Sequence, residues 1–237
     1  MKILLPPSQG KTSPPVGPPL ALDALSLPEL TAAREPVVTH LIEASRREDA
    51  PALLGVGPRL HHEIEAQQRL LERPCAPARE VYTGVLYEAA RLTPADEVWV
   101  FSALFGPVGG NDPIPAYRLA MSAALPGIGS LKAYWRRELA RLPWDDSQTY
   151  VDMRSAAYQV WNPPGLWWDV RVRDGNGRVI SHMAKRYRGL LARALLDAGS
   201  DEIADVARTL GDVAVEHDGR RRHLTLTPTA LAASSSA

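Results

Sequence analysis

The chain has 237 residues, with 27 Lys+Arg balancing 27 Asp+Glu, so no global charge draws it to nucleic acid and any basic site must be a local patch. Its single cysteine, Cys75, excludes an internal disulfide and a multi-cysteine metal site, which suits a cytoplasmic protein. No apolar run approaches membrane-spanning length, and Pro6 and Pro7 interrupt the first one too early for a signal peptide.

Ile3-Leu4-Leu5 predicts a buried strand, ended by two prolines that have no N–H to give. Ser8-Gln9-Gly10-Lys11-Thr12 then forms a loop of hydroxyls, amide, bare backbone and cation. At the carboxyl end of a strand in an α/β protein, such a loop is placed to bind a ligand. The Gly10-Lys11-Thr12 triplet is no nucleotide-binding P-loop, because Leu5 stands where that pattern needs a glycine. A smaller anion nest around Lys11 remains open, against a plain Pro-rich turn.

Residues 13–20 are an extended Pro-rich arm, and Pro28 opens a helical region that continues over Val37–Arg47. Pro51–Leu71 predicts further helix, broken at Gly55-Val56-Gly57-Pro58. His61-His62-Glu63 is poor metal-binding geometry, since adjacent helical residues point about 100° apart. Near Tyr82-Thr83-Gly84 another helix begins, and Val98–Ser102 is a strong central strand. It opens onto a Gly/Pro-rich loop, 107–115, followed by Tyr117 and Arg118.

The turn Gly127-Ile128-Gly129 has the form of the hairpin in helix-hairpin-helix DNA binders. With Lys132, Arg136 and Arg137 in the next helix, it is a candidate for phosphate contacts, against an ordinary helix N-terminal turn. Thr149–Val160 predicts a strand passing into a helix, with Ser155 a natural N-cap and Tyr158 nearby. Val170–Ile180 predicts a β-hairpin around Asp174–Gly177, Ser181–Leu196 a helix, and Asp201–Leu210 another. Ser181, Lys185 and Arg188 share a helical face beside an apolar arc, which makes them anion-binding candidates. Val213–Val215 and Leu224–Leu226 make a final hairpin. The expected architecture is one α/β (α+β) domain over 1–229, a mixed sheet surrounded by helices with late hairpins, and a frayed tail at 230–237.

Four segments, Leu5–Thr12, Val81–Tyr87, Ile114–Leu119 and Ser181–Gly189, occur in an order that resembles the YaaA family, and the resemblance covers essentially the whole chain. The family is named for a bacterial peroxide stress protein. The resemblance implies a cytoplasmic single-domain α/β protein; the named member is associated with oxidative stress, restricted free iron and DNA binding. This chain departs from its relatives at Gln9, where they usually carry Glu, at Gly109-Gly110, where they carry Arg-Pro, and at Ala184, often Asn. Those changes are expected near the cleft, as in a relative retuned for a small molecule.

The combined expectation is one polar cleft in which Ser8, Lys11 and Thr12 face Tyr82, Thr83, Ser102, Arg118, Lys185 and Arg188. Gln9, Tyr117, Tyr158 and Ser181 are further ligand-binding candidates. Its cations and hydroxyls suit an anionic small molecule or nucleic-acid backbone, with no metal or cofactor expected. As a binding protein it would serve peroxide resistance. As an enzyme of specialised metabolism it would use Lys11 or Lys185, assisted by Tyr82, Ser155 or Tyr158. A regulatory protein without chemistry is the third alternative.

Overall fold

The computed structural model describes residues 1–178, 181–199 and 201–229; the side chain of Ser181, residues 179, 180 and 200, and the tail expected at 230–237 lie outside the described residues. In chain order the strands are β1 (Lys2–Leu5), β2 (Ala76–Pro77), β3 (Val98–Ser102), β4 (Gly106–Gly109), β5 (Pro113–Ile114), β6 (Ala124–Leu125), β7 (Gly129–Ser130), β8 (Thr149–Asp152), β9 (Leu166–Val172), β10 (Gly211–Asp218) and β11 (Arg221–Pro228). The α-helices are α1 (Thr31–Ser45), α2 (Ala50–Leu54), α3 (His61–Gln67), α4 (Ala78–Val81), α5 (Val85–Ala90), α6 (Leu131–Leu139), α7 (Ser181–Ala198) and α8 (Ile203–Arg208).

Seven strands form one mixed sheet in the order β10-β11-β9-β8-β1-β3-β4. The five inner strands run parallel, and β10 and β4 close the edges antiparallel. The α/β expectation therefore holds, including the final hairpin, which pairs Gly211–Asp218 with Arg221–Pro228. Strand β1 is central: Ile3 pairs with Val98 on one side and Val151 on the other. Its apolar run is buried on both faces, as a covered parallel strand requires. The chain leaves β1 for β3 on one side and later returns to β8 on the other. That reversal opens a crevice at the carboxyl ends of these strands, where α/β sheets bind ligands.

Buried polar contacts fix the loops at that edge. The guanidinium of Arg34 on α1 is fully buried and donates to the carbonyls of Phe105 (3.0 Å) and Pro107 (3.0 Å). Asp152 at the end of β8 takes Arg154 in a bidentate pair, Nε–Oδ1 and Nη2–Oδ2 both 2.8 Å, with both side chains out of water. Arg154 also donates to the Trp161 carbonyl (2.8 Å) and lies 4.1 Å over the Phe101 ring.

Four local expectations are corrected. The start of the loop read over 107–115 belongs instead to edge strand β4, Gly106–Gly109, and Pro107 is tolerated there because an edge strand needs no donor on its open side. After β8 the chain does not enter a helix: the Arg154 backbone N–H turns back onto Asp152 Oδ1 (3.0 Å), and 153–165 follow as turns and irregular backbone. Strand β9 is paired on both edges, by β8 and β11, so Val170 does not start a hairpin; the Asp174–Gly177 turn forms, but Val179 and Ile180 lie outside the described residues. Gly127 and Ile128 lie in the turn between two short strands, β6 and β7, and Gly129 opens β7, so the turn does not join two helices.

Candidate functional site

The loop after β1 is closed onto the segment between α4 and α5. Thr83 N–H reaches Ser8 Oγ (3.0 Å) and the Gly10 carbonyl (3.2 Å), and Ser8 Oγ–H donates to Gly10 O. Lys11 and Tyr82 form an isolated antiparallel bridge, and Thr12 N–H donates to Val81 O (2.9 Å). Tyr87 on α5 donates to the Pro6 carbonyl (2.8 Å). This backbone closure holds Ser8, Gln9 and Gly10 out as one rim of the crevice.

Helix α7 supplies the opposite rim. Gly189 sits so close to α5 that a Cβ there would lie 2.2 Å from the Leu86 carbonyl oxygen. That approach carries Arg188, the residue before it, and Lys185, one turn earlier, to the mouth of the crevice. Together these elements enclose a basin of about 510 Å³ whose lining includes Ser8, Gln9, Thr83, Tyr87, Ser155, Tyr158, His182, Lys185 and Arg188.

Arg188 is the distinctive group of this basin. Its Nη2 makes a long bond to the Val170 carbonyl (3.4 Å), and its buried Nε–H has no partner among the described residues. Burial lowers its pKa, while Asp152 and Asp169 pull it back up. Those carboxylates are already committed elsewhere: Asp152 to Arg154, and Asp169 to Arg221 (2.7 Å), Arg171 (3.1 Å) and Gln159 (3.0 Å).

Lys11 opens into a second, adjoining basin of about 250 Å³, which also contains Arg118 and Leu60. The two share the wall formed by Ser8, Gln9, Ala120 and Tyr158. The Lys11 amine donates to the Ser8 carbonyl (2.8 Å) and lies 4.4 Å from the Tyr117 ring centroid. Burial, followed by repulsion from the Arg118 guanidinium, lowers its pKa to about 7, with Glu63 opposing. Arg118 is no free cation. It forms a fork with Glu63 through Nε and Nη2 (2.9 Å at Nη2), and its Nη1 holds the Gln9 carbonyl. The hydrogen bond from Arg118 holds the Glu63 carboxyl below its usual range.

Beneath the basins runs a chain of hydroxyls: Ser102 Oγ to Tyr117 OH (2.7 Å) and Tyr117 OH to Tyr82 OH (2.9 Å). Ser102 Oγ accepts the N–H groups of Leu104 and Phe105, both at 3.0 Å, so its own proton points to Tyr117. Burial drives the Tyr82 and Tyr117 pKa values up, and all three groups lie below the lining rather than in it.

The structure thus gathers Ser8, Gln9, Thr83, Ser155, Tyr158, Lys185 and Arg188 around one basin, and Lys11 and Arg118 around the next. Thr12 is exposed and lines neither, and the Ser181 side chain lies outside the described residues. Gly127, Gly129, Lys132, Arg136 and Arg137 also line neither; Arg137 pairs with Glu138 (2.7 Å). Of the three places expected to depart from relatives, only Gln9 lines the basins: Ala184 is buried, and the Gly109 N–H donates to Asp112 Oδ2 (2.9 Å). Sequence reading missed Glu63 and Gln67 as partners of Arg118, and Tyr87 as lining. An arginine beside a crevice calls for a carboxylate, but nothing local points to one 55 residues away.

A mixed sheet with two basins at the carboxyl ends of its parallel strands defines an α/β protein with a crevice at a switch in strand order. The chain belongs to the family described as "Peroxide stress protein YaaA", which it matches over residues 1–212. It is 40% identical to a UPF0246 protein of Streptomyces coelicolor, over 89% of this chain and 90% of that one. A UPF0246 protein of Corynebacterium efficiens is 39% identical, over 95% and 99%. No helix among the described residues is long and apolar enough to cross a membrane.

Proposed function

We propose that this protein binds a small anionic molecule in the larger basin, and that it does so in the cytoplasm in resistance to peroxide; its family's description, a peroxide stress protein, supports that setting. The observation that carries the reading is Arg188: a cation at the basin whose buried Nε–H lacks a partner among the described residues, while Asp152 and Asp169, the carboxylates that act on it, are bound to other cations. An anion donated by the ligand would complete it in a charge-assisted bond. Lys185 on the same face adds a second charge, and Ser8, Ser155 and Tyr158 offer hydroxyls to orient the rest of the molecule.

The test is calorimetric titration with inorganic phosphate and pyrophosphate. A lost charge-assisted hydrogen bond is worth about 1.5–3 kcal/mol, so Arg188→Ala should weaken binding roughly 10- to 100-fold. Phosphate affinity unchanged in both Arg188→Ala and Lys185→Ala would overturn the reading. Duplex DNA, titrated in parallel at about 50 and 200 mM salt, should bind weakly; tight, steeply salt-dependent binding lost in Arg136→Ala/Arg137→Ala would favour the nucleic-acid backbone instead.

A second reading, an enzyme of specialised metabolism, draws on Lys11. A lysine amine brought to about 7 is a competent base or nucleophile at neutral pH, and the adjoining basin gives a substrate access to it.

A further inference from the structure

We infer that the smaller basin is a carbonyl-binding site, at which Lys11 Nζ forms an imine with an aldehyde or ketone whose anionic end is held at Arg188. The inference rests on the anion-binding reading and names the class of molecule the two basins would take together. Three geometric observations carry it. Lys11 forms no ion pair among the described residues: the neighbouring carboxylate, Glu63, is taken by the Arg118 fork. Its amine is anchored by one bond to the Ser8 carbonyl and lies over the Tyr117 ring, in a basin with room for a small group. The two basins lie side by side across Ser8, Gln9, Ala120 and Tyr158, and the proposed ligand is placed over that divide.

The chemistry balances with this chain's own groups. The neutral amine adds its lone pair to the carbonyl carbon, the C=O π pair moves to oxygen, and a nitrogen-borne proton passes to that oxygen. The Tyr158 phenol, kept protonated because burial raises its pKa, gives its proton to the carbinolamine hydroxyl, which leaves as water. The resulting iminium returns its N–H proton to Tyr158, leaving the imine. The lowered Lys11 pKa supports the first step: about half of the amines are neutral at pH 7, against roughly one in 2,500 for an ordinary lysine. Part of that advantage is offset because nucleophilicity falls with pKa.

The experiment is reductive trapping with borohydride in the presence of glyoxylate, glyceraldehyde 3-phosphate or propanal, followed by peptide mapping. The chain has four lysines, Lys2, Lys11, Lys132 and Lys185, so the map is simple. The expected product is Lys11 carrying the mass of the aldehyde less one oxygen, formed at least tenfold faster than at the other three. Arg188→Ala should slow the glyceraldehyde 3-phosphate adduct at least fivefold and leave the propanal adduct unchanged. Lys11→Arg should lose the adduct while keeping phosphate binding, which shows the fold intact. Absence of a Lys11 adduct in protein that binds phosphate would overturn the inference alone. Propanal reacting at Lys11 as fast as both anionic aldehydes would also overturn it. Failure to bind phosphate at all would remove the anion-binding reading on which it rests.

Discussion

Lys11 gives the most quantitative consequence. Its amine has an unfolded-state pKa of 10.5 and a folded-state pKa of about 7. Between those values the unfolded chain holds the proton and the folded chain does not, so stability rises with pH across the window from about 7 to about 10.5. Below about 7 both states are protonated and the full desolvation penalty is present, at most about 5 kcal/mol for a shift of this size. Going from pH 7 to pH 9 relieves about 2 kcal/mol of it, and going from pH 6 to pH 7 almost none. Lys11→Met keeps the length of the side chain and removes the amine. Urea unfolding of both proteins at pH 6, 7, 8 and 9 isolates the term, because every other titrating group cancels in the difference. The variant should be the more stable at neutral pH, by an advantage that shrinks by about 2 kcal/mol toward pH 9. A stability difference flat from pH 7 to pH 9 would show that the amine is not desolvated in the folded state.

Asp152→Asn leaves the buried Arg154 guanidinium without its counter-charge and should cost about 3–5 kcal/mol in urea unfolding. Ser102→Ala strips the acceptor from two backbone N–H groups and the partner from Tyr117; a loss of about 2–4 kcal/mol is expected by the same measurement. Gly106 has φ 66°, and a Cβ there would lie 2.7 Å from the Trp135 ring. Gly106→Ala should therefore cost roughly 2–4 kcal/mol, visible as a lower Tm, and pairing it with Trp135→Leu should recover part of the loss.

Much of the fold was legible because burial wrote it into composition. The runs Ile3-Leu4-Leu5 and Val98–Phe101 are apolar at successive positions because the sheet is covered at both strands, with only Trp99 partly open to solvent. Helix α7 shows its core arc and its cationic face with helical spacing, so Lys185 and Arg188 could be paired from the sequence. What stayed hidden was decided by partners far along the chain. Gly106-Pro-Val-Gly109 has the composition of a turn, and only pairing with β3 makes it a strand. Residues 154–158 have the local propensity for a helix, overridden by the Asp152–Arg154 pair. A single cleft was expected; the Ser8–Gln9 rim and Tyr158 divide it, because Arg118, held by Glu63, fixes the Gln9 carbonyl between the basins.

That division gives the two basic residues different work. Burial lowers the pKa of both Lys11 and Arg188, but a guanidinium stays charged at any pH the folded protein meets, whereas the Lys11 amine changes charge near neutrality. An anion held at Arg188 should therefore bind with the same affinity across about pH 6 to pH 8, once His182, the imidazole lining that basin, is replaced. Sulfate is the suitable probe because it does not itself titrate in this range. Calorimetry of His182→Gln with sulfate at pH 6, 7 and 8 should give a flat profile. If the anion instead sat against Lys11, affinity would fall as pH rises through about 7, where the amine loses its charge. A falling profile would move the anion to the smaller basin, and Lys11 could not then act there as a free amine.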